Sequence, residues 1–320
     1  MRYRKLGDFG VKVSEISLGS WLTYGGSVED EQATACIHRA FELGVNFFDT
    51  ANVYRRGAAE EVTGRALKGI PRDDYFLATK VYFPMGDGPN DRGLSRKHIM
   101  EQCHASLKRL GTDYVDLYQC HRADADTPLE ETLRALDDLV TQGKVLYVGV
   151  SEWSAQRIEE ARRIQAELNL DPLSSNQPEY SMLQRRIEAE IIPLCAREGV
   201  GQVVFSPLAQ GVLTGKYTRG QAPPDDSRAA SSRMGGFIRR WLADEVLACV
   251  DRLRTVADQA GMTVAQLALA WVLREPNVAS AIIGATRPSQ LEENCAAAGV
   301  RLDADVLAAA EKAVAEVVQR

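Results

Sequence analysis

The chain has 320 residues, 45% hydrophobic and 26% charged, a composition that excludes a disordered protein and is sufficient for a sizeable core. Its 38 Lys and Arg residues and 44 Asp and Glu residues give a net charge of −6, and without a basic run we expect no nucleic-acid partner. With no apolar signal segment and no stretch near the about 18 apolar residues of a membrane span, we predict a cytoplasmic protein without a membrane partner.

The predicted elements begin with an amino-terminal hairpin. Residues Tyr3 to Val13 form two short alternating runs around Gly7 to Gly10, a pattern typical of two strands joined by a tight turn. We expect this hairpin to plug one end of the fold.

Short β-branched runs then recur along the chain, separated by amphipathic stretches. Their last residues are predicted at Leu18, Phe48, Thr79, Cys120, Val150, Asn176, Phe205 and Ile283. The first six intervals are 26 to 41 residues long, close to the roughly 30 residues of a strand, a loop and a helix. Eight such units predict an α/β protein, a (β/α)8 TIM barrel in which residues 1–320 form one domain. An open doubly wound sheet usually has GxGxxG after its first strand, and the sequence has no such match.

Helices are predicted where apolar residues recur at spacings of three and four. They span residues 31–43, 95–110, 128–142, 155–168, 242–259, 264–273 and 303–318. Gly44, Gly111 and Gly143 follow three of them, as is typical of helix ends.

The last interval, from Phe205 to Ile283, is 78 residues long and departs from the repeat. From Ser206 to about Arg240 it is rich in Gly, Pro, Ser and Arg. A loop of that length inside a compact domain is usually functional or mobile. We expect this loop, which follows the seventh barrel strand, to cover a cofactor.

The cysteines and histidines do not have metal-binding spacings. Six cysteines, at positions 36, 103, 120, 195, 249 and 295, include no CxxC pair, so they predict neither a zinc site nor a disulfide framework. The four histidines include no HExxH. We therefore predict no metal.

Three ionisable side chains follow the second and third predicted barrel strands, at the end where barrels place their active sites. Asp49 and Tyr54 follow one strand, and Lys80 follows the next. An ammonium beside a phenol lowers the phenol's pKa from about 10, and a carboxylate would keep the lysine charged. The set predicts a proton-transfer site with Tyr54 as general acid, although an ion pair that merely ties two strands together would use the same lysine and aspartate.

His121 follows the fourth predicted strand and should lie at the same mouth. Its imidazole could hydrogen-bond a substrate oxygen. Aromatic residues that follow strands are predicted to line the substrate pocket, or else to pack at the barrel rim: Trp21, Tyr24, Phe83 and Trp153.

Four ordered segments resemble the signatures of the aldo-keto reductase superfamily. They are Gly44 to Tyr54, Ala78 to Lys80, Tyr114 to His121 and Ile282 to Arg287. Residues 21–26 and 206–216 are most similar to the branch that contains potassium-channel β subunits and bacterial aldehyde reductases. The resemblance spans nearly the whole chain and implies NADP(H)-dependent reduction of a small-molecule carbonyl substrate on a TIM barrel.

The resemblance also implies roles for single residues. The superfamily's catalytic tetrad falls on Asp49, Tyr54, Lys80 and His121, with Tyr54 as proton donor and Lys80 lowering its pKa. Positions that hold the nicotinamide carboxamide match Ser151, Asn176 and Gln177, and Phe205 matches the aromatic that stacks on the ring, where other members often carry Trp or Tyr. The further predicted cofactor contacts, which include Asp49, are Gly19, Trp21, Ser206, Pro207, Leu208, Gln210, Gly211, Lys216, Arg228, Gly284, Thr286, Arg287, Gln290, Glu293 and Asn294.

Thr286 and Arg287 point to a phosphate independently of the resemblance. They precede a predicted helix at Pro288, so backbone N–H groups, the helix dipole and a guanidinium converge there. A solvated arginine at a helix start would have the same sequence.

Three alternatives use the same residues. Gly149 to Trp153 approaches the GxSxG of a hydrolase but lacks the second glycine. Asp49 and Glu152 could form a glycosidase pair, but Lys80 would hold Asp49 ionised. The third is a regulatory protein that binds NADP(H) with little turnover, yet the β subunits that the chain resembles typically have Asn in place of His121, which favours an enzyme. The sequence leaves open the substrate, the reaction's physiological direction, the preference for NADPH over NADH and whether the chain forms a homo-oligomer.

Overall fold

The computed structural model describes residues 1–21, 23–25, 29–224, 227–230 and 235–319. Across these residues the strands are β1 (Tyr3–Lys5), β2 (Lys12–Ser14), β3 (Ile16–Gly19), β4 (Phe47–Asp49), β5 (Phe76–Val81), β6 (Val115–Cys120), β7 (Val145–Ser151), β8 (Leu173–Gln177), β9 (Gly201–Phe205) and β10 (Val278–Ile283). The helices are α1 (Asp30–Glu42), α2 (Ala58–Leu67), α3 (Arg96–Leu110), α4 (Leu129–Thr141), α5 (Ala155–Leu168), α6 (Ile191–Glu198), α7 (Gly235–Ile238), α8 (Asp244–Gln259), α9 (Val264–Leu273), α10 (Pro288–Cys295) and α11 (Ala304–Val314).

Strands β3 to β10 close into one parallel barrel. Each pairs with the next along the chain, and β10 pairs with both β9 and β3 to complete the ring. Every residue of β5, β6 and β10 is buried, as expected for parallel strands covered on both faces. The predicted (β/α)8 TIM barrel is confirmed.

The amino-terminal hairpin is also confirmed, and it closes the barrel at the amino ends of its strands. β1 and β2 pair antiparallel, with Tyr3 opposite Ser14. Leu6 and Val13 are fully buried in a cluster inside the barrel that includes Phe47 and Phe76, the first residues of β4 and β5. At the turn, Gly7 has φ 57°, and a Cβ on it would come within 2.1 Å of the Gly199 carbonyl oxygen, so no larger residue fits.

The predicted helices are present, with shifted ends at several positions. α5 and α9 have the predicted limits, and Gly111 ends α3 in the left-handed conformation with φ 66°. The prediction of a last helix that reaches residue 318 is wrong, because α11 ends at Val314 and the Gln319 carbonyl instead accepts from the Arg185 N–H at 2.8 Å. The sequence patterns did not locate α2, α6 or α7.

Several barrel strands extend one or two residues beyond their predicted ends. β4 runs to Asp49, β5 to Val81, β7 to Ser151 and β8 to Gln177. The polar residues predicted to begin the loops therefore form the last layer of the barrel, where the strand ladder fixes their direction.

No single helix among those described is both long and apolar enough to cross a membrane. α8 and α9 reach that length and composition only as a pair, across an 88° bend. Nine of the ten residues of α9 are buried inside the protein.

Candidate active site

A buried ion pair lies at the centre of the carboxyl-terminal mouth of the barrel. Asp49 ends β4 and lies opposite Ala78 of β5, so Lys80, two residues further along β5, shares the inward face. The Lys80 Nζ donates to Asp49 Oδ1 at 2.5 Å and to the Thr50 carbonyl oxygen at 2.9 Å. The two side chains are 0% and 4% exposed, so each charge depends on the other for compensation.

Tyr54 extends this pair towards solvent. Lys80 Nζ also donates to Tyr54 Oη, at 3.4 Å, which leaves the phenolic hydrogen available to another acceptor. Tyr54 begins a 3₁₀ turn in which Arg55 and Arg56 both have φ 53°. Two adjacent non-glycine residues in the left-handed region are costly, and such strain is concentrated at functional sites.

The expectation that the pKa of Tyr54 lies below its usual value is wrong for this structure. Burial raises the pKa of Tyr54 well above its usual value, and the Asp49 carboxylate raises it further, while Arg122 opposes the change. Burial is the main cause, and the Lys80 ammonium lies closer to the carboxylate, at 2.5 Å, than to the phenol, at 3.4 Å. Tyr54 therefore lies beside an ammonium and a carboxylate that neutralise each other, and it keeps its proton at neutral pH.

His121 completes the predicted tetrad. It follows β6, and its ring meets the Tyr54 ring edge-on, with centroids 5.6 Å apart. Burial lowers the pKa of His121 well below its usual value, followed by the charges of Lys80 and Arg122. The imidazole is thus neutral, and among the described residues its buried Nδ1 has no hydrogen-bond partner.

Two amide side chains hold Asp49 from the far side. Gln177 Nε2 donates to Asp49 Oδ2 at 2.9 Å, and Gln119 Nε2 lies 3.4 Å from the same oxygen. The sequence analysis missed Gln119. Its signal was its position two residues after the inward-facing Leu117, which places it on the same face of the strand.

The three residues predicted to bind a carboxamide do not share one face. Gln177 and Ser151 point into the barrel, where Ser151 Oγ donates to the Gln177 carbonyl oxygen at 2.8 Å. Asn176 precedes Gln177 on the same strand, so its side chain lies on the opposite face and donates to Gln202 Oε1 at 3.0 Å. Asn176 is therefore placed outside the mouth, a correction that follows from the two-residue period of a strand.

The segment after β9 is strained and positively charged. Ser206, Ala209 and Gln210 have φ of 55°, 46° and 60°, followed by Gly211 at 98°. Arg228 donates to Gln210 Oε1, and Gln210 Nε2 to Ser206 Oγ. Burial lowers the pKa of the Arg228 guanidinium, and no carboxylate among the described residues pairs with it, so the site suits an anion.

The other predicted contacts in this segment lie around that strained turn. Pro207 is buried and Leu208 packs partly on the core. Lys216 is exposed, and a Cβ on Gly211 would be 3.7 Å from its Nζ. Residues 225–226 and 231–234 of the predicted covering loop lie outside the described residues.

A second candidate phosphate site lies at the start of α10. Gln290 Oε1 accepts from the backbone N–H groups of Thr286 at 2.8 Å and Arg287 at 3.2 Å, and a ligand oxygen could take its place. Thr286 and Arg287 are exposed. The neighbouring predicted contacts are the exposed Gly284 and Glu293 and the buried Asn294.

Aromatic residues form one wall of the mouth. The half-buried Trp21 ring lies 6.4 Å from Phe205 and 5.1 Å from Phe237, both edge-on. Phe237 belongs to α7, so the long segment after β9 reaches back to the end of β3. On another side, Phe83 meets His121 at 4.9 Å.

Two residues predicted to line the substrate pocket are enclosed instead. Tyr24 is 2% and Trp153 1% exposed, and both belong to the core between strands and helices. Gly19 is also a packing residue, since a Cβ on it would be 2.6 Å from Ile282 Cγ2. Of the four aromatic candidates, the structure places Trp21 and Phe83 at the mouth.

The geometry does not favour the alternative chemistries. Ser151 Oγ is bound to a backbone carbonyl rather than to a base. Glu152 has φ 56°, and its Oε1 accepts from the Glu179 N–H at 2.7 Å, so it shapes a loop. Within the described part of the chain, no three His, Cys, Asp or Glu side chains are grouped to hold a metal ion.

Comparisons with a family model and with known proteins both find sequences similar to this chain. The model of the aldo/keto reductase family matches residues 15–315. The chain is 48% identical over 303 residues to an Arabidopsis thaliana protein described as "Probable voltage-gated potassium channel subunit beta", covering 94% of this chain and 92% of the relative. An Oryza sativa subsp. japonica protein with the same description is 45% identical over 303 residues, with the same two coverages.

Proposed function

The chain belongs to the aldo/keto reductase family, and we propose that it uses NADPH to reduce an aldehyde or ketone to an alcohol, with Tyr54 as proton donor. The observation that carries this proposal is the buried Asp49, Lys80 and Tyr54 chain, in which one ammonium donates to both the carboxylate and the phenol oxygen. A structural ion pair alone would not need a phenol placed at its solvent side.

Each residue has a distinct part in the proton transfer. Because Lys80 donates to the phenol oxygen, the Tyr54 proton is directed to the substrate oxygen as that oxygen gains negative charge. The phenolate left behind is stabilised by the ammonium at 3.4 Å. His121, a neutral imidazole whose ring meets the Tyr54 ring edge-on, would hold the same substrate oxygen in place.

The residues around the mouth fit a dinucleotide phosphate. When bound, NADPH supplies the hydride. Gln177 and Ser151 would hold the nicotinamide amide, and Phe205 would face its ring. The guanidinium of Arg228, half-buried with a neutral amide as its partner, suits the pyrophosphate, and Arg287 at the start of α10 suits the 2′-phosphate.

The test is NADPH oxidation, followed by absorbance, across a panel of aldehydes, ketones and dicarbonyls. Tyr54→Phe should lower kcat about 10²-fold or more, because the phenol acts only on the developing alkoxide. The Kd for NADPH should stay within about twofold of wild type.

Tyr147→Phe is the matched control, because Tyr147 packs against Phe9 of the hairpin at the opposite end of the barrel. It should retain wild-type kcat. A Tyr54→Phe protein with tens of per cent of wild-type kcat would rule out Tyr54 as the donor.

A second candidate is an NADP(H)-binding regulatory subunit of a potassium channel with little turnover. The description of the Arabidopsis and rice relatives favours it. The same assay separates the two candidates. Tight NADPH binding without reduction of any carbonyl in the panel would support the regulatory subunit, whereas turnover abolished by Tyr54→Phe supports the reductase.

A further inference from the structure

Arg122 lies beside the proposed catalytic residues but belongs to neither the tetrad nor the predicted cofactor contacts. It directly follows His121 at the end of β6. Its guanidinium carbon is 5.5 Å from the centre of the Phe83 ring. Phe83 in turn meets His121 edge-on at 4.9 Å, so the guanidinium and the two rings form one side of the mouth.

No carboxylate among the described residues pairs with the charge of Arg122. Within the described residues, its one hydrogen bond is from Nη1 to the His121 carbonyl oxygen at 2.5 Å, and none of the ion pairs found there includes it. A guanidinium has five N–H donors, so most of its hydrogen-bonding capacity remains available. The side chain is half-buried, which makes an uncompensated charge costly without an anionic ligand.

The charge also reaches the catalytic groups. Arg122 opposes the rise in the pKa of Tyr54, and it lowers the pKa of both Lys80 and His121. The guanidinium carbon lies 5.5 Å from the Phe83 ring, which lies 4.9 Å from the His121 ring, and His121 in turn lies 5.6 Å from the Tyr54 ring. One small molecule can therefore contact both the guanidinium and Tyr54.

We propose that Arg122 is a specificity-determining residue that selects carbonyl compounds carrying a carboxylate, bound through the guanidinium while the carbonyl oxygen lies at Tyr54 and His121. The inference rests on the proposed reductase function and names its substrate class. The Phe83 ring contacts both the guanidinium, at 5.5 Å, and the imidazole, at 4.9 Å, so we expect the spacer between carboxylate and carbonyl to be apolar and about the size of one ring. Planar guanidinium groups bind carboxylates through two parallel hydrogen bonds.

The test compares two aldehydes that differ in charge, 4-carboxybenzaldehyde and 4-methylbenzaldehyde. Wild-type kcat/KM should favour the carboxylated aldehyde by about tenfold to a hundredfold, the effect of a charge-assisted hydrogen bond. Arg122→Met should remove the preference, so that kcat/KM becomes about equal for the two aldehydes; the ratio of the two values is the readout, because the guanidinium also acts on the pKa of Tyr54, Lys80 and His121. Arg122→Lys, which keeps the charge but loses the two-pronged geometry, should retain part of the preference.

Arg163→Met is the matched control for net charge, because Arg163 lies on the exposed face of α5 and pairs with Glu167. It should retain the full preference. A wild-type protein that reduces both aldehydes equally, or a preference that survives Arg122→Met, would overturn the inference while leaving the reductase function intact.

Calorimetry with NADP⁺ present measures the Kd of each aldehyde without turnover. It therefore tests the carboxylate selectivity of Arg122 separately from the proposed reductase function. If neither aldehyde is reduced, the reductase function fails on these substrates and binding alone decides the role of Arg122. Tighter binding of 4-carboxybenzaldehyde that is lost in Arg122→Met, but not in Arg163→Met, supports the anion site. Equal binding of the two aldehydes to wild type refutes it.

Discussion

The proposed proton donor, Tyr54, lies beside an ammonium whose charge is already compensated by the Asp49 carboxylate. The sequence predicted Asp49, Lys80 and Tyr54 as a set but predicted the wrong direction for the pKa of Tyr54. That direction depends on burial and on the ammonium being closer to the carboxylate than to the phenol, quantities that residue identity does not contain. An acid of raised pKa stays protonated until the substrate oxygen becomes strongly basic.

Because Lys80 acts through Tyr54, their substitutions should not be additive. Lys80→Met should lower kcat severely, and the double variant with Tyr54→Phe should lose little more than Tyr54→Phe alone. The measurement is a double-mutant cycle in kcat, with circular dichroism to check folding, since Lys80→Met leaves the buried Asp49 unpaired. Additive losses would show that the two residues do not form one proton-transfer unit.

Cofactor choice should depend on Arg287. NADPH differs from NADH by one phosphate, and a guanidinium at a helix start matches that dianion. Arg287→Ala should raise the Kd of NADPH by about tenfold to a hundredfold and leave that of NADH nearly unchanged, as measured by fluorescence titration.

Arg301→Ala is the control for Arg287→Ala, because Arg301 is an exposed arginine beyond α10. Its NADPH affinity should equal that of wild type. If Arg287→Ala weakens both cofactors equally, the 2′-phosphate lies elsewhere.

At the scale of elements, the recurrence of strand-like runs predicted the barrel, but the run alone did not show which residues at its end point into the barrel. Eight β-branched runs, the first seven of them at similar intervals, predicted the barrel. Their ends were predicted within about two residues of the observed strand ends. Neighbours such as Asn176 and Gln177 were assigned to one site because both ended the same run, although a strand directs them to opposite faces. The contact of Phe237 with Trp21 joins residues more than two hundred positions apart, which local patterns do not reveal.

Among the described residues, an ion pair between Arg240 and Glu179 helps to hold the segment after β9 against the barrel. Both carboxylate oxygens of Glu179, just beyond β8, accept from Arg240 Nη2, at 2.5 and 2.6 Å. Glu179→Gln should speed hydrogen exchange in residues 235–241 and NADPH release, by up to about fivefold, because the pair is partly exposed. Glu159→Gln is the control for Glu179→Gln, because it breaks a surface pair with Arg197 on the outer helices.

Adding NADPH should slow hydrogen exchange across the described part of residues 206–240, if that segment closes over the cofactor. Exchange that does not respond to NADPH would refute the covering role.

Across the whole molecule, the residues that stabilise the fold and the proposed catalytic residues lie at opposite ends of the barrel, as is usual for this fold. At the amino end, the hairpin side chains Leu6 and Val13 complete the inner apolar cluster. At the carboxyl end, the inward positions carry Asp49, Lys80 and Gln177. The sequence revealed both ends because the hairpin's alternating run and the polar strand ends are local signals.

This separation predicts a variant that loses stability while the chemistry is preserved. Leu6 is 0% exposed inside the barrel, so Leu6→Ala should lower the free energy of unfolding by about 2–5 kcal/mol, through lost burial and the cavity left behind. Below the unfolding transition, its kcat and NADPH affinity should match wild type, because Leu6 packs at the end opposite Tyr54. Lys5→Ala, at an exposed position of the same hairpin, should change stability by no more than about 0.5 kcal/mol. Urea denaturation gives both values, and a Leu6→Ala protein as stable as wild type would show that the hairpin only covers the barrel and does not complete its core.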